Sequence, residues 1–306
     1  MIYDIIVVGG GPAGMTAALY ALRNGKTVLV IEKEGFGGQI THSPKVENYP
    51  GFVSLSGNEL ADHMMGQIME QGADIEIDTV TGIEPMGENW QVKTEMDGLF
   101  EAQSVIIATG VKHRMLGLPG EEELVGEGIS FCAVCDGDFY TGRETIMVGG
   151  GNSALQEAIL LSGKCSKVTI VQDLPFLTGE KRLQEVLSKR DNVTVITNQK
   201  VKGILTAGDG SFKGIQIADQ TSGEEKELLA DGLFVAIGLI PENQPFEALA
   251  DLNAYGYFDT DETCTTKTPG IFVAGDCRSK QIRQVTTACA DGAVAALAAC
   301  RYLDAR

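Results

Sequence analysis

The 306-residue sequence predicts an α/β chain with two doubly wound, mostly parallel sheets, and three observations carry that prediction. A strand–glycine turn–helix–strand unit opens the chain. The same unit recurs 140 residues later. The length, at roughly 150 residues per domain, suits two domains, and strands alternating with helices wind parallel sheets covered on both faces.

In the first unit an apolar run, Ile5 to Val8, meets Gly9, Gly11 and Gly14. A helical stretch follows through Asn24, and a second run, Val28 to Ile31, ends at Glu32, 18 residues after the last glycine. Spacing and context match the fingerprint of a Rossmann-like dinucleotide-binding domain. The glycines permit a tight turn, close approach of a pyrophosphate and close helix–strand packing, and Glu32 is placed to accept hydrogen bonds from a ribose.

The second unit has Ile146 to Val148 as strand, Gly149, Gly151 and Ala154 as turn, a helix from Asn152 to Ser162, and Val168 to Val171 as the next strand. Two units predict two nucleotides, one for each domain. Trp90 to Thr94 and Val193 to Ile196 are expected as antiparallel ribbons laid beside each sheet. The copies differ at the position of Glu32, which is Gln172 in the second, followed by Asp173. From Val171 to Glu180 the chain reads VQDLPFLTGE, without Lys or Arg. A 2'-phosphate needs cations at this strand end, so NADPH is expected to bind poorly, whereas Gln172 can still meet the free hydroxyl of NADH. Lys181 and Arg182 read as a solvated helix face.

Composition narrows the class. Hydrophobic residues at 43% with charged residues at 22% exclude disorder as the main state. The net charge of -18 argues against nucleic acid and anionic membranes as partners. The N-terminus, MIYDIIVVGG, has neither basic n-region nor cleavage site and reads as a strand rather than a signal peptide. Seven cysteines without a secretory signal imply a reducing compartment, and the cytoplasm is the expected location.

Cys132 and Cys135 form a Cys-x-x-Cys pair just before the second unit. Such a pair closes a small disulfide ring reversibly, and a sulfur near a helix N-terminus has its thiolate favoured. Zinc is the alternative, yet it needs two more ligands. No second pair exists, His42, His63 and His113 lack ligand spacing, and no metal site is expected. An inert buried pair is the remaining reading. Asp136 is either a proton donor or acceptor beside the pair or simply the first residue of an Asp-Gly turn. Cys165, Cys264, Cys277, Cys289 and Cys300 are isolated and read mostly as small core residues.

GGGPAG at 9–14, ENYPGF at 47–52, ATG at 108–110, LPGE at 118–121, CAVCDG at 132–137, GGGNSA at 149–154, AGD at 274–276 and RQVTTA at 283–288 follow one another along the chain. In kind and order this set resembles the low-molecular-weight thioredoxin reductases, over essentially the whole sequence. The resemblance implies an FAD-containing homodimer acting on thioredoxin. Its FAD domain would be discontinuous (1–114 and 245–306), with a central domain (115–244) inserted in it that carries the cysteine pair and the pyridine-nucleotide site. Gly9, Gly11, Gly14, Glu32, Gln39, Asn48, Gly110 and Asp276 would contact FAD, with Arg283 and Gln284 near the flavin. Gly149, Gly151, Ala154 and Gln172 would line the second nucleotide site. Cys135 would be the flavin-proximal sulfur, Cys132 the one that attacks thioredoxin, and Asp136 the acid–base residue. In the family's usual cycle the central domain rotates.

NADPH-using members carry an HRRxxxR segment where this chain has residues 172–178, and all three arginines are missing. The chain is similar in this respect to the ferredoxin-dependent branch of flavin thioredoxin reductases, so ferredoxin is the expected donor, with NADH and then NADPH behind it. Two rival readings keep the same pair: a dithiol oxidase passing electrons to oxygen, and a non-catalytic redox-sensing flavoprotein.

Overall fold

The computed structural model describes residues 1–43 and 45–306 and divides them into two compact units. Unit one comprises Met1–His42, Tyr49–Lys112 and Ile240–Arg306; unit two comprises Ser43–Asn48 and His113–Leu239. Along unit one run β1 (Ile2–Val8), α1 (Pro12–Arg23), β2 (Val28–Glu32), α2 (Gly57–Glu70), β3 (Asp74–Ile77), β4 (Val80–Met86), β5 (Asn89–Thr94) and β6 (Leu99–Ile107). A two-residue strand, β7 (Lys112–His113), leads on to β8 (Ile129–Ser130), α3 (Ala133–Asp136), β9 (Glu144–Val148), α4 (Asn152–Ser162) and β10 (Lys167–Val171). Next come α5 (Lys181–Leu187), β11 (Val193–Ile196), β12 (Gln199–Thr206), β13 (Phe212–Asp219), β14 (Glu225–Leu229) and β15 (Gly232–Val235). The chain returns to unit one through β16 (Leu239–Ile240) and ends with β17 (Ile271–Val273) and α6 (Val285–Asp304).

The sheet of unit one has the order β3-β2-β1-β6-β5-β4, with β17 also on β6. β1 lies parallel to β2 on one side (Ile5 opposite Val28) and to β6 on the other (Val8 opposite Ile107). Strands buried on both faces read as unbroken apolar runs, and Ile5, Ile6 and Val7 are fully buried. On its other edge β6 pairs parallel with β17 through its C-terminal residues and antiparallel with β5 through its N-terminal ones, so Trp90 to Thr94 does sit in an antiparallel ribbon.

Helix starts follow from local chemistry. Pro12 occupies the first turn of α1, where its missing N–H removes nothing the helix uses. Ser56 and Glu59 cap α2 reciprocally, with Glu59 N donating to Ser56 Oγ at 3.1 Å and Ser56 N to Glu59 Oε2 at 2.7 Å. α6 lies close against α1, since a Cβ on Gly292 would come within 2.2 Å of Ala13 O.

A buried ion cluster fixes the turn between β17 and α6. Asp291 Oδ2 on α6 accepts from Arg278 Nη1 at 2.8 Å, Lys280 Nζ at 2.9 Å and Gly275 N at 3.0 Å. Arg278 is 1% exposed, and leaving one partner of such a pair uncompensated costs about 3–5 kcal/mol. The cluster therefore holds Gly275–Cys277, and Asp276 within it, at a fixed place beyond β17.

Unit two carries a five-stranded parallel sheet, β11-β10-β9-β15-β8. This corrects the expectation for Val193 to Ile196. That segment is no antiparallel ribbon but the parallel edge strand β11, in register with β10 (Val168 opposite Val193). Thr194 and Val195 are exposed there, at the edge of the sheet. The antiparallel ribbon of unit two is β12-β13-β14, just downstream. Among the described residues, no helix is long and apolar enough to cross a membrane.

Candidate active site

In unit one the chemistry-bearing residues gather beyond the carboxyl ends of β1, β2, β6 and β17. This is where doubly wound sheets bind ligands, at the point where the winding reverses about β1. The turn after β1 is built by three glycines with separate duties. Gly9 has φ +109°, and a Cβ there would lie 2.4 Å from Ala108 O. Gly14 brings α1 onto the turn, its hypothetical Cβ falling 1.8 Å from Gly9 O. At Gly11 a Cβ would meet nothing within 4 Å, so its place is open space before the N-terminus of α1.

Glu32 ends β2 and is held by backbone: Oε2 accepts from Gly10 N at 2.6 Å and Oε1 from Glu34 N at 3.0 Å. Gln39 is exposed in the 3-10 turn Gly38–His42 that follows. Gly110, with φ +66°, follows β6. Asp276 stands after β17 with Oδ1 buried and without a hydrogen-bond partner. Burial pushes this carboxyl up to about 6 against the pull of Lys280 and Arg283. Arg283 donates to the carbonyls of Asp276 and Arg278 and lies 4.4 Å above the Tyr257 ring. Gln284 precedes α6, its N–H donating to Thr287 Oγ1. Asn48, expected beside these groups, falls in the segment Ser43–Asn48 that belongs to unit two.

Two substitutions separate the turn's duties. Gly14→Ala is expected to destabilise unit one by about 1–3 kcal/mol or more, because backbone must move to admit the methyl. Gly11→Ala is expected to leave the FAD-free protein's unfolding temperature unchanged while weakening FAD binding at least about tenfold, a loss of one good contact's worth. Thermal unfolding and a flavin fluorescence titration on both variants check the pair; an equal loss of stability in both would refute the division.

Unit two repeats the design. Gly149 has φ +130° with its hypothetical Cβ 2.4 Å from Ala236 O, and Gly151 faces space bounded only by Thr178 Oγ1 at 3.7 Å. Ala154 stands fully buried where the first turn has Gly14. Gln172, 6% exposed, packs under Gly150, whose Cβ would lie 2.6 Å from Gln172 Cδ. The loop after each second strand folds back alike: Gly37 N donates to Gly10 O, and Thr178 N and Gly179 N donate to Gly150 O. A difference appears at the helix start. Asn152, the first residue of α4, is clamped to Glu180 through Nδ2→Oε1 (3.0 Å) and Glu180 N→Oδ1 (2.7 Å). A carboxylate thus sits where a pyrophosphate would look for positive potential.

The cysteine pair lies at α3 of unit two. Cys132 and Cys135 are joined as a disulfide, with Cα atoms 5.3 Å apart. Cys132 precedes the helix in extended conformation, and its Sγ accepts from Cys135 N at 3.1 Å. Cys132 N donates to Ser130 Oγ at 3.1 Å, and Ser130 Oγ donates to Asp136 Oδ2 at 2.6 Å. Asp136 is buried, its Oδ1 has no partner, and burial holds the carboxyl above the usual carboxylate range. Ser130 and the half-buried Glu157, whose Oε2 accepts from Ala133 N at 3.4 Å, were not legible as site residues; neither belongs to a motif, and only the packing of α3 on α4 brings Glu157 to the pair. The other five cysteines are free thiols, and no cluster of three metal-ligating side chains occurs among the described residues.

Two Rossmann-type units with a disulfide beside a buried acid have the framework of a disulfide oxidoreductase. Comparison with known proteins agrees. The family model for pyridine nucleotide-disulphide oxidoreductases matches residues 3–292. The thioredoxin reductase of Bacillus subtilis (strain 168) is 40% identical over 303 residues, covering 99% of this chain and 95% of the relative. A 34.2 kDa protein in the rubredoxin operon of Clostridium pasteurianum is also 40% identical, covering 99% and 98%. The crystal structure of thioredoxin reductase from Streptococcus pyogenes superposes with a TM-score of 0.93 at 39% identity, covering 100% of this chain and 99% of that one. The chain belongs to the low-molecular-weight thioredoxin reductase family, as a flavin-dependent oxidoreductase with a redox disulfide.

Proposed function

We propose that this chain reduces thioredoxin through the Cys132–Cys135 pair, as an FAD-carrying homodimer of the cytoplasm, and draws its electrons from a donor other than NADPH, reduced ferredoxin first. The observation that carries the reading is the pair itself, a disulfide beside a buried protonatable carboxyl in a member of this family.

Unit one fits FAD: open space at Gly11 before α1 suits the pyrophosphate, Glu32 is preset for a ribose, and the orphaned Asp276 Oδ1 awaits a hydrogen-bond donor. Gly9, Gly14, Gln39, Asn48, Gly110, Arg283 and Gln284 complete the proposed contacts. FAD, when bound, supplies the electron chemistry that side chains lack. The chain's own residues do the exchange. In the reduced pair Cys132 Sγ, as thiolate, attacks one sulfur of the thioredoxin disulfide, forming a mixed disulfide and releasing the other sulfur as thiolate. Cys135 Sγ then attacks Cys132 Sγ, restoring the intramolecular disulfide and releasing reduced thioredoxin. Asp136 supplies a proton to a departing thiolate, and Ser130 orients it.

The donor reading rests on charge. Between Gln172 and Glu180 there is no cation, Asp173 adds a negative charge, and Glu180 is tied to the first residue of α4. NADH is the second reading, favoured by the open space at Gly151 and the neutral Gln172. Anaerobic mixing of FAD-loaded protein with reduced ferredoxin, NADH or NADPH, following flavin absorbance, tests both. Prompt bleaching by ferredoxin alone supports the first reading and by NADH the second. Bleaching by NADPH as fast as by NADH refutes the argument from missing cations.

A further inference from the structure

Asp136 is not the only carboxyl at the redox pair. Glu157 reaches it from α4, halfway along the helix that opens the second glycine turn. Ala154, Leu155, Ala158 and Leu161 bury α4 among Met147 of β9, Val168 and Ile170 of β10 and Leu187 of α5. These elements present apolar surface. Glu157 flanks that face and points to α3, where its Oε2 takes the amide of Ala133, the residue next to Cys132. Asp136 on α3 is the charged group whose field reaches it.

The amides around the pair go to four acceptors, one of them Cys132 O, which takes Asp136 N and shares Cys135 N. Cys132 N goes to Ser130, Cys135 N to Cys132 Sγ, and Ala133 N to Glu157. A carboxylate on the Ala133 amide both uses a donor that would otherwise favour a thiolate and sets a like charge beside it. We propose that Glu157 is a positioning residue for the redox pair, which holds the Ala133 amide and, by gaining or losing a proton, sets how readily Cys132 becomes a thiolate. Burial pushes the Glu157 carboxyl up to about 7, the Ala133 amide pulls it down, and Asp136 adds to the rise. Its charge therefore changes within the range in which a dithiol exchanges.

The inference rests on reading Cys132 as the exchanging sulfur, and its test needs neither thioredoxin nor an electron donor. Holoenzyme reduced with dithiothreitol is alkylated with iodoacetamide from pH 5.5 to 9, and carboxamidomethyl-Cys132 is followed by peptide mass spectrometry, which separates it from the free thiols. In the native protein the rate is expected to rise more gradually with pH than a single-proton titration, since Glu157 ionises as Cys132 does. Glu157→Gln keeps an acceptor for the Ala133 amide and removes the charge. It is expected to sharpen the profile to a single-proton course and to speed alkylation at pH 7 by roughly three- to tenfold, as loss of one near charge moves a thiol by about half to one pH unit.

A Glu157→Gln profile superimposable on the native one overturns the proposal, and it does so whether or not Glu157→Ala differs. Should neither variant retain FAD, a single-proton profile in the native protein overturns it just as well. Failure of the enzyme to reduce thioredoxin, with the alkylation profiles as expected, would count against the proposed function and leave the role of Glu157 standing.

Discussion

Cys135→Ser is expected to stop turnover and capture thioredoxin on the enzyme as a stable mixed disulfide, whereas Cys132→Ser stops turnover without capture. The asymmetry follows from the proposed roles. Cys132 precedes α3 and already receives the Cys135 N–H on its sulfur, the contact that supports a thiolate. Without Cys135 the adduct loses its resolving thiol. The loss in each variant is at least about a thousandfold, the scale on which removing a nucleophile acts. Stability does not confuse the result, because cross-linking a four-residue loop restrains the unfolded chain by only about 2 kcal/mol. Non-reducing electrophoresis and intact mass decide it: an adduct of enzyme plus one thioredoxin in Cys135→Ser alone is the expected outcome. Capture by Cys132→Ser instead would exchange the two roles, and capture by neither would remove the dithiol mechanism.

Much of this site was legible because glycines record backbone geometry directly. Gly9 and Gly149 stand where any Cβ would strike a carbonyl of the neighbouring strand's end, so the turns announce themselves at fixed spacing from their strands. Glu32 and Gln172 were equally plain, each ending a buried apolar run. The sheet edge was less so. Val193 to Ile196 is rich in β-formers, and strand character over four residues does not separate a parallel edge strand from one arm of a ribbon. Pairings across the fold left no local trace. Arg278, Lys280 and Asp291 are three charges on different turns of chain until α6 brings them together, and Glu180 looks like an ordinary helix-flanking acid until it is seen holding Asn152. Ser130 and Glu157 fall in the same class: each gains its meaning from α3, a four-residue helix whose partners lie on other elements.

Asp136→Asn is expected to slow thioredoxin reduction by about 10²- to 10⁴-fold, the usual reach of a positioned general acid, and at the same time to remove a loss of stability that the native carboxyl brings as pH rises past the ordinary carboxylate range. Asn keeps an oxygen for Ser130 Oγ and very nearly the same volume, so packing is conserved. What changes is the proton. Burial raises the Asp136 carboxyl above its ordinary range, outweighing the opposing hydrogen bond from Ser130. The folded chain consequently retains a proton that the unfolded chain has already released. The stability this group contributes is complete below the unfolded carboxylate's range and is lost as pH rises through the raised folded value. Asn, neutral throughout, has no such decline. Unfolding temperatures of the FAD-loaded native and variant proteins, followed upward in pH from the ordinary carboxylate range, should therefore diverge in the variant's favour until the native carboxyl has ionised, while the variant's turnover stays low. A variant that loses stability at every pH along with activity would mark Asp136 as a packing residue, and the proton for the departing thiolate would have to come from elsewhere. Stability gained on the native protein while turnover is lost is what a catalytic carboxyl held neutral by its surroundings requires, since the burial that fits it to donate a proton is the same burial that makes its charge unfavourable to the fold.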